Sequence, residues 1–140
     1  MKVYFDASIL VAIITNDLHS ARAEAFLRAT SPIPVVSDFA TAEFTAVVAR
    51  RVRNRDLNRR EAQHAFANFD RWRQGVGENL DTTAADMRMA DAILRRLEHN
   101  LRAPDALNIV LAQRVGAMLA TFDIGMAKVA SALGLAVAAI

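Results

Sequence analysis

The sequence predicts an α/β domain, a three-layer α/β/α arrangement around a central, mainly parallel, twisted sheet of four to five strands. Three observations predict it. Short apolar, β-prone segments alternate with longer helical ones along the whole chain, the pattern of successive βα units. The strand candidates are apolar throughout rather than alternating, as expected of strands covered on both faces. The chain has 140 residues, 54% of them hydrophobic, which suits one domain with a proper core. Residues 1–140 are read as that single domain.

The elements follow in order. Residues 2–6 (KVYFD) form a strand that ends on an acid. Residues 8–15 (SILVAIIT) either extend that strand or begin a buried helix, and periodicity does not decide between them. Residues 19–30 read as an amphipathic helix, broken by Pro32 and Pro34. Val35 and Val36 make a short strand, and Ser37 caps a helix running from Asp38 to about Arg53. Asn58 and Glu61 form a capping-box variant opening a helix to about Gln74, which Gly75 and Gly77 end. A short edge strand is expected around Leu80. Thr83, with Asp86 three residues on, caps a helix to about His99, stopped at Asn100. Pro104 opens a helix to Val115, ended by Gly116. Residues 117–122 (AMLATF) form a buried strand, residues 125–133 a last helix, and LAVAAI a closing strand.

Composition narrows the functional classes. The chain has no cysteine, so disulfides and thiolate metal sites are excluded, and a reducing cytosol suits it. Asp6 interrupts the apolar N-terminus too early for a signal peptide, and no segment reaches the roughly 20 apolar residues of a membrane helix. Net charge is +2, and lysine occurs only at Lys2 and Lys128. Arg50, Arg51, Arg53, Arg55, Arg59 and Arg60 crowd one stretch. Guanidinium forks match phosphate geometry, which makes nucleic acid a candidate partner; a solvated helix–helix turn is the plainer reading.

Four acids fall at or near element ends. Asp6 ends the first strand and Asp123 follows the AMLATF strand. In a parallel sheet, ligands bind outside the carboxyl ends of the strands, so both point to one edge. Asp105 lies in the first turn after Pro104, and Glu43 in the second turn after Ser37. Each alone has an ordinary explanation as a helix cap, a helix-dipole partner or a solvated residue. Converging, they would repel one another, and a hard divalent cation, Mg2+ or Mn2+, would resolve the repulsion. Such an ion polarises a phosphoryl oxygen and lowers the pKa of a bound water, so metal-assisted phosphodiester hydrolysis is the reaction class that follows.

The residues resemble a known family. YFDASILVAII resembles the opening of a PIN domain, SDFATAEFTAVVAR its glutamate-bearing segment, and LRAPDALNIVLAQRVGAMLATFD its third block. The blocks occur in order over nearly the whole chain. The resemblance implies an acidic quartet of Asp6, Glu43, Asp105 and Asp123, with Asp6 and Asp105 as the principal metal ligands. It implies that Ser8 and Thr121 orient ligands or hold waters. Asn108 departs from the family's frequent histidine, and Ile124 from a frequent basic residue, which puts substrate contacts in question.

A short single-domain chain of this kind resembles the toxins of VapBC toxin–antitoxin pairs. That resemblance implies a cytoplasmic, Mg2+- or Mn2+-dependent endoribonuclease, a homodimer, acting on RNA and neutralised by a small VapB-like antitoxin. Phe39, Phe44, Val47 and Val48 would line the antitoxin's groove or, more plainly, belong to the core. Arg50, Arg51, Arg53 and Arg55 would hold the RNA backbone, and Trp72 would stack on a base or pack inside. His19, His64 and His99 read as partnerless helix residues, so no histidine pair suggests metal-free cleavage. Two alternatives stay open: a PIN nuclease of RNA processing without an antitoxin, and an inactive binding module. A receiver-like signalling domain needs an acidic pair after the first strand and a late lysine, and an Asp-x-Asp phosphatase needs an acid at position 8, where Ser8 stands.

Overall fold

The computed structural model describes residues Met1–Ile140. The chain runs β1 (Lys2–Phe5), α1 (Ala7–Ile14), α2 (Ser20–Thr30), β2 (Ile33–Ser37), α3 (Asp38–Arg53), α4 (Arg59–Gly75), β3 (Glu78–Leu80), α5 (Ala84–Arg95), α6 (Ala103–Arg114), β4 (Met118–Ala120) and α7 (Ile124–Ala132). The four strands form one sheet in the order β3-β2-β1-β4, and every pairing is parallel. Parallel neighbours need crossovers, which here are helical. β1, β2 and β3 step one way and β4 lies on the other side of β1, so the topological switch point falls between β1 and β4.

Local chemistry accounts for the elements. The ambiguous SILVAII segment is α1, because Asp6 caps it: Ile9 N donates to Asp6 Oδ1 at 3.1 Å. Ser37 caps α3 through Ala40 N, and Asn58 caps α4 through Glu61 N. Thr83 and Asp86 form a reciprocal capping box on α5. β2 is longer than Val35–Val36 and includes Pro34. Gly77, at φ +87°, passes so close that a Cβ there would lie 2.2 Å from the Pro34 carbonyl oxygen. Only glycine fits that approach.

Two boundaries differ from expectation. α5 stops at Arg95, short of His99, with the exposed Leu97 beyond it at φ +57°. The closing LAVAAI segment is not a strand, making a single parallel bridge from Val137 to Leu119. β4 is only three residues long, since the chain turns away at Thr121 to cap α7, and so offers little edge to extend.

The core lies on both faces of the sheet. Val3, Tyr4 and Phe5 are inaccessible to solvent, and so are Leu119 and Ala120 beside them. α6 is buried around its whole circumference from Ala106 to Ala112, as a helix sandwiched in the interior must be. Phe44 stacks on Phe69 at 4.6 Å between centroids, and Trp72 continues the row to Phe5. Phe44 and Val48 are thus core residues, with Phe39 and Val47 packed against them. Trp72 is half-buried and packs against this core.

Candidate active site

Each sequence-predicted acid is placed by a helix start or by a helix that begins at the carboxyl edge of the sheet. Asp6 follows β1 and is 5% exposed. Its Oδ1 accepts from Ser8 Oγ at 2.6 Å and its Oδ2 from Thr121 Oγ1 at 2.6 Å. Burial pushes its carboxyl towards the protonated form, and the bonds from Ser8, Thr121 and Ile9 oppose that push. The two hydroxyls also tie β1 to β4. Phe122 N donates to Ser8 Oγ and Asp123 N to Thr121 Oγ1, each at 2.9 Å. Ser8 and Thr121 therefore hold the two oxygens of Asp6.

Asp123 caps α7 through Met126 N at 2.9 Å, with its side chain 40% exposed. Asp105, in the first turn of α6, accepts from Arg102 N and Nε, both at 3.2 Å. Arg102 Nη2 also lies 4.0 Å from Asp123 Oδ2. Glu43 reaches the same edge from α3, and its Oε2 accepts from Asn108 Nδ2 at 3.0 Å. Burial raises the Glu43 pKa first, Asn108 opposes, and the charges of Asp6 and Asp105 raise it further. The four acids therefore share one electrostatic site across the β1–β4 switch point, with the exposed guanidinium of Arg102 among them.

Sequence reasoning missed a buried relay behind Glu43. Ser37 donates to Tyr4 Oη at 2.7 Å, Tyr4 donates to Asn108 Oδ1 at 2.8 Å, and Asn108 donates on to Glu43. Burial drives the Tyr4 hydroxyl far above the usual range, so it stays a neutral donor. Asn108 is 3% exposed; it positions Glu43 and is not placed to touch substrate. The available signal was one amide in the otherwise apolar run ALNIVLA. Arg102 stood in a quoted block without a role, and the structure sets it between Asp105 and Asp123.

Other predicted residues lie elsewhere. Arg50, Arg53 and Arg55 are exposed at the far end of α3 and in the turn after it. Arg53 is ten residues beyond Glu43 on one helix, roughly 15 Å at 1.5 Å per residue. Arg51 is engaged with Asp17 at 2.5 Å and with Thr15 Oγ1 at 3.1 Å. Among the histidines, only His64 lies within a helix. His99 follows α5, and His19 caps α2 and stacks on Phe122 at 4.3 Å, so it is not without a partner.

As they stand, no three acidic or histidine side chains are gathered to ligate one ion. The donor set nevertheless suits a hard cation, being carboxylate and hydroxyl oxygen throughout. Asp105 and Asp123 are engaged chiefly by an arginine whose side chain is 77% exposed, which leaves it free to move aside.

A parallel sheet with acids at the N-caps of α1 and α7 and on α3 and α6, beside its switch point, defines a class of α/β domain with a carboxylate-lined edge. The chain belongs to the PIN domain family, whose model matches residues 3–132, and nucleases of that family generally use a divalent metal. Its fold is similar to that of VapC20 from Mycobacterium tuberculosis, a sarcin–ricin loop cleaving toxin (18% identity, TM-score 0.72, 95% of each chain covered). It is similar to VapBC2 from Rickettsia felis, bound to a promoter DNA fragment (18% identity, TM-score 0.69, 99% of this chain and 98% of that one). It is also similar to FitAcB from Neisseria gonorrhoeae (18% identity, TM-score 0.64, 96% and 95%). At such identity the likeness carries the fold alone. No curated protein sequence matches the chain.

Proposed function

We propose that this chain is a metal-dependent endoribonuclease, the toxic member of a toxin–antitoxin pair. The observation that carries the reading is the set of Asp6, Glu43, Asp105 and Asp123 from four elements around Arg102 at the switch point. Asp6 and Asp105 are the principal ligands for Mg2+ or Mn2+, with Asp123 and Glu43 completing the set. When bound, the ion polarises the phosphodiester and lowers the pKa of a water.

The chain's own groups do the rest. Ser8 and Thr121 fix both oxygens of Asp6, so its carboxylate needs no reorganisation. Asn108 holds Glu43 Oε2, leaving Oε1 to take the proton that the attacking water loses; the raised pKa of Glu43 suits it to a general base. Once it leaves Asp105, the exposed Arg102 supplies a guanidinium fork for the phosphate's non-bridging oxygens. Water adds to phosphorus, the P–O3′ bond breaks and the departing O3′ takes a proton from solvent, so the products carry 5′-phosphate and 3′-hydroxyl ends. No 2′-hydroxyl takes part. Exposed Arg50, Arg53 and Arg55 offer a distant second contact to a long RNA.

The complexes VapBC2 and FitAcB are named for paired proteins, which supports a small antitoxin as partner; a homodimer in the cytoplasm completes the reading. The test is cleavage of total cellular RNA by the purified chain, with Mg2+ or Mn2+ and with EDTA, beside Asp6→Asn. The expected outcome is metal-dependent cleavage reduced at least a hundredfold in the variant, with 5′-phosphate ends. Cleavage that persists in EDTA, or in Asp6→Asn, overturns the mechanism.

A further inference from the structure

A cleft of about 490 Å³ opens beside the carboxylate edge, walled by the start of α2, by α7 and by the closing segment. Its lining carries His19, Arg22 and Lys128 and no acidic side chain. Phe122 sits between these groups: His19 stacks on its ring, and the Arg22 guanidinium lies 5.2 Å from its centroid. The cleft is joined rigidly to the acids. Thr121 is one of its walls and donates to Asp6 Oδ2, while the Phe122 backbone is fastened to Ser8, which donates to Asp6 Oδ1. Asp123 is the next residue along the chain.

A carboxylate edge repels the backbone of a polyanion, so an adjoining cationic surface is needed to hold the strand against it. The arginine cluster at the far end of α3 does not adjoin the acids. Arg22 and Lys128 line the cleft that Thr121 joins to Asp6, and neither is paired with an aspartate or glutamate side chain. Arg22 spends one donor on the Ile140 carbonyl oxygen, leaving most of its five N–H groups for a ligand. Lys128 is exposed on α7. Beside them, Phe122, Ala127 and Val137 supply an apolar wall.

We propose that this cleft is the subsite for the nucleotide adjoining the scissile bond of an RNA strand, with its phosphate held by Arg22 and Lys128 and its ribose and base against the Phe122 wall. The proposal rests on the nuclease reading and adds to it the direction in which the strand leaves the carboxylates. It also gives His19 a task, since its stacking holds Phe122 in place at the α2 N-terminus.

The experiment separates binding from cleavage. In an Asp6→Asn background, the affinity for a labelled single-stranded RNA of mixed sequence is measured over a range of salt concentrations. The variants are Lys128→Ala, Arg22→Gln and the double change, beside Arg95→Ala on α5 as a control matched in charge to each single change. The double change is expected to weaken binding about tenfold and to flatten the slope of log K against log salt by about 1.4, at about 0.7 per phosphate contact for single strands. With Asp6 restored, KM rises more than kcat falls. Lys128 is exposed and its side chain is held by no ion pair, so its replacement alone, with an expected slope change of about 0.7, serves if Arg22→Gln melts abnormally. Unchanged affinity and slope in a chain whose wild type cleaves RNA overturn the proposal. So does loss of affinity for a protein partner while RNA binding stays intact. A wild-type chain that neither binds nor cleaves RNA brings down the nuclease reading itself, and this proposal with it.

Discussion

Glu43 holds its proton more tightly in the folded chain than in the unfolded one, first because it is partly buried and then because Asp6 and Asp105 face it. A raised folded pKa means that its contribution to stability is fully present below the unfolded value, near pH 4.3, and is lost as pH rises through the folded value. Asp6 follows the same sign, with burial as the main cause. Glu43→Gln removes the charge and keeps an oxygen for Asn108. The metal-free variant should melt at a higher temperature than the wild type at neutral pH, and the gap should close towards about pH 4. A gap independent of pH would mean that packing, not charge, sets the difference. At this scale the sequence was informative where a residue's neighbours are close in the chain. Asp6 and Asp123 could be placed because each follows a strand and caps a helix. The Tyr4–Asn108–Glu43 relay could not, because its members are separated by 104 and 65 positions and only the packing of α6 against β1 and α3 brings them together.

The arginine stretch shows at the scale of elements how one composition signal splits into different tasks. Arg51 belongs to architecture, since it fastens the end of α3 to the α1–α2 turn through Asp17 and Thr15, with only 23% and 16% of the Arg51 and Asp17 side chains exposed. Partial burial pushes the Asp17 pKa up, but the His19 N–H and Arg51 outweigh it and hold it below the usual range. That contribution is present above the unfolded pKa and fades as pH falls through the folded one. Arg51→Ala should therefore cost about 1–2 kcal/mol in urea unfolding at neutral pH and less in acid. An undiminished cost in acid would assign the loss to the arginine's aliphatic stem. The same physics explains which elements were legible. Caps at Ser37, Asn58 and Thr83 read directly because they act over three residues. The α1 segment stayed ambiguous because a helix buried on most sides carries no periodicity. The end of α5 was misread because Leu97, rather than glycine, takes the left-handed position there.

Across the whole molecule, the strand order separates the charge. All four sheet strands deliver their carboxyl ends to one side, and the β1–β4 switch opens a crevice there. The alternation of elements made this much readable from the sequence, since parallel strands with helical crossovers allow few other arrangements. Convergence of the acids was not readable, because it depends on how α3 and α6 lean over the sheet. It has a thermodynamic consequence independent of catalysis. Repelling carboxylates are a cost to the folded chain that the unfolded chain avoids, so an ion bound there stabilises the fold by its own binding free energy, about 2.7 kcal/mol at a hundred times its Kd. For a domain of this size that corresponds to a rise in melting temperature of several degrees. MgCl2 or MnCl2 should produce this rise, NaCl of equal ionic strength should not, and Asp105→Asn should abolish most of it. Replacing Arg102 by alanine sharpens the test. The metal-free protein should then be less stable, having lost the only cation among the acids, while the increment from the divalent ion grows, because nothing competes for Asp105 and Asp123. If monovalent and divalent salts act alike in all three proteins, the carboxylates are too far apart to share an ion, and the edge is a set of helix caps.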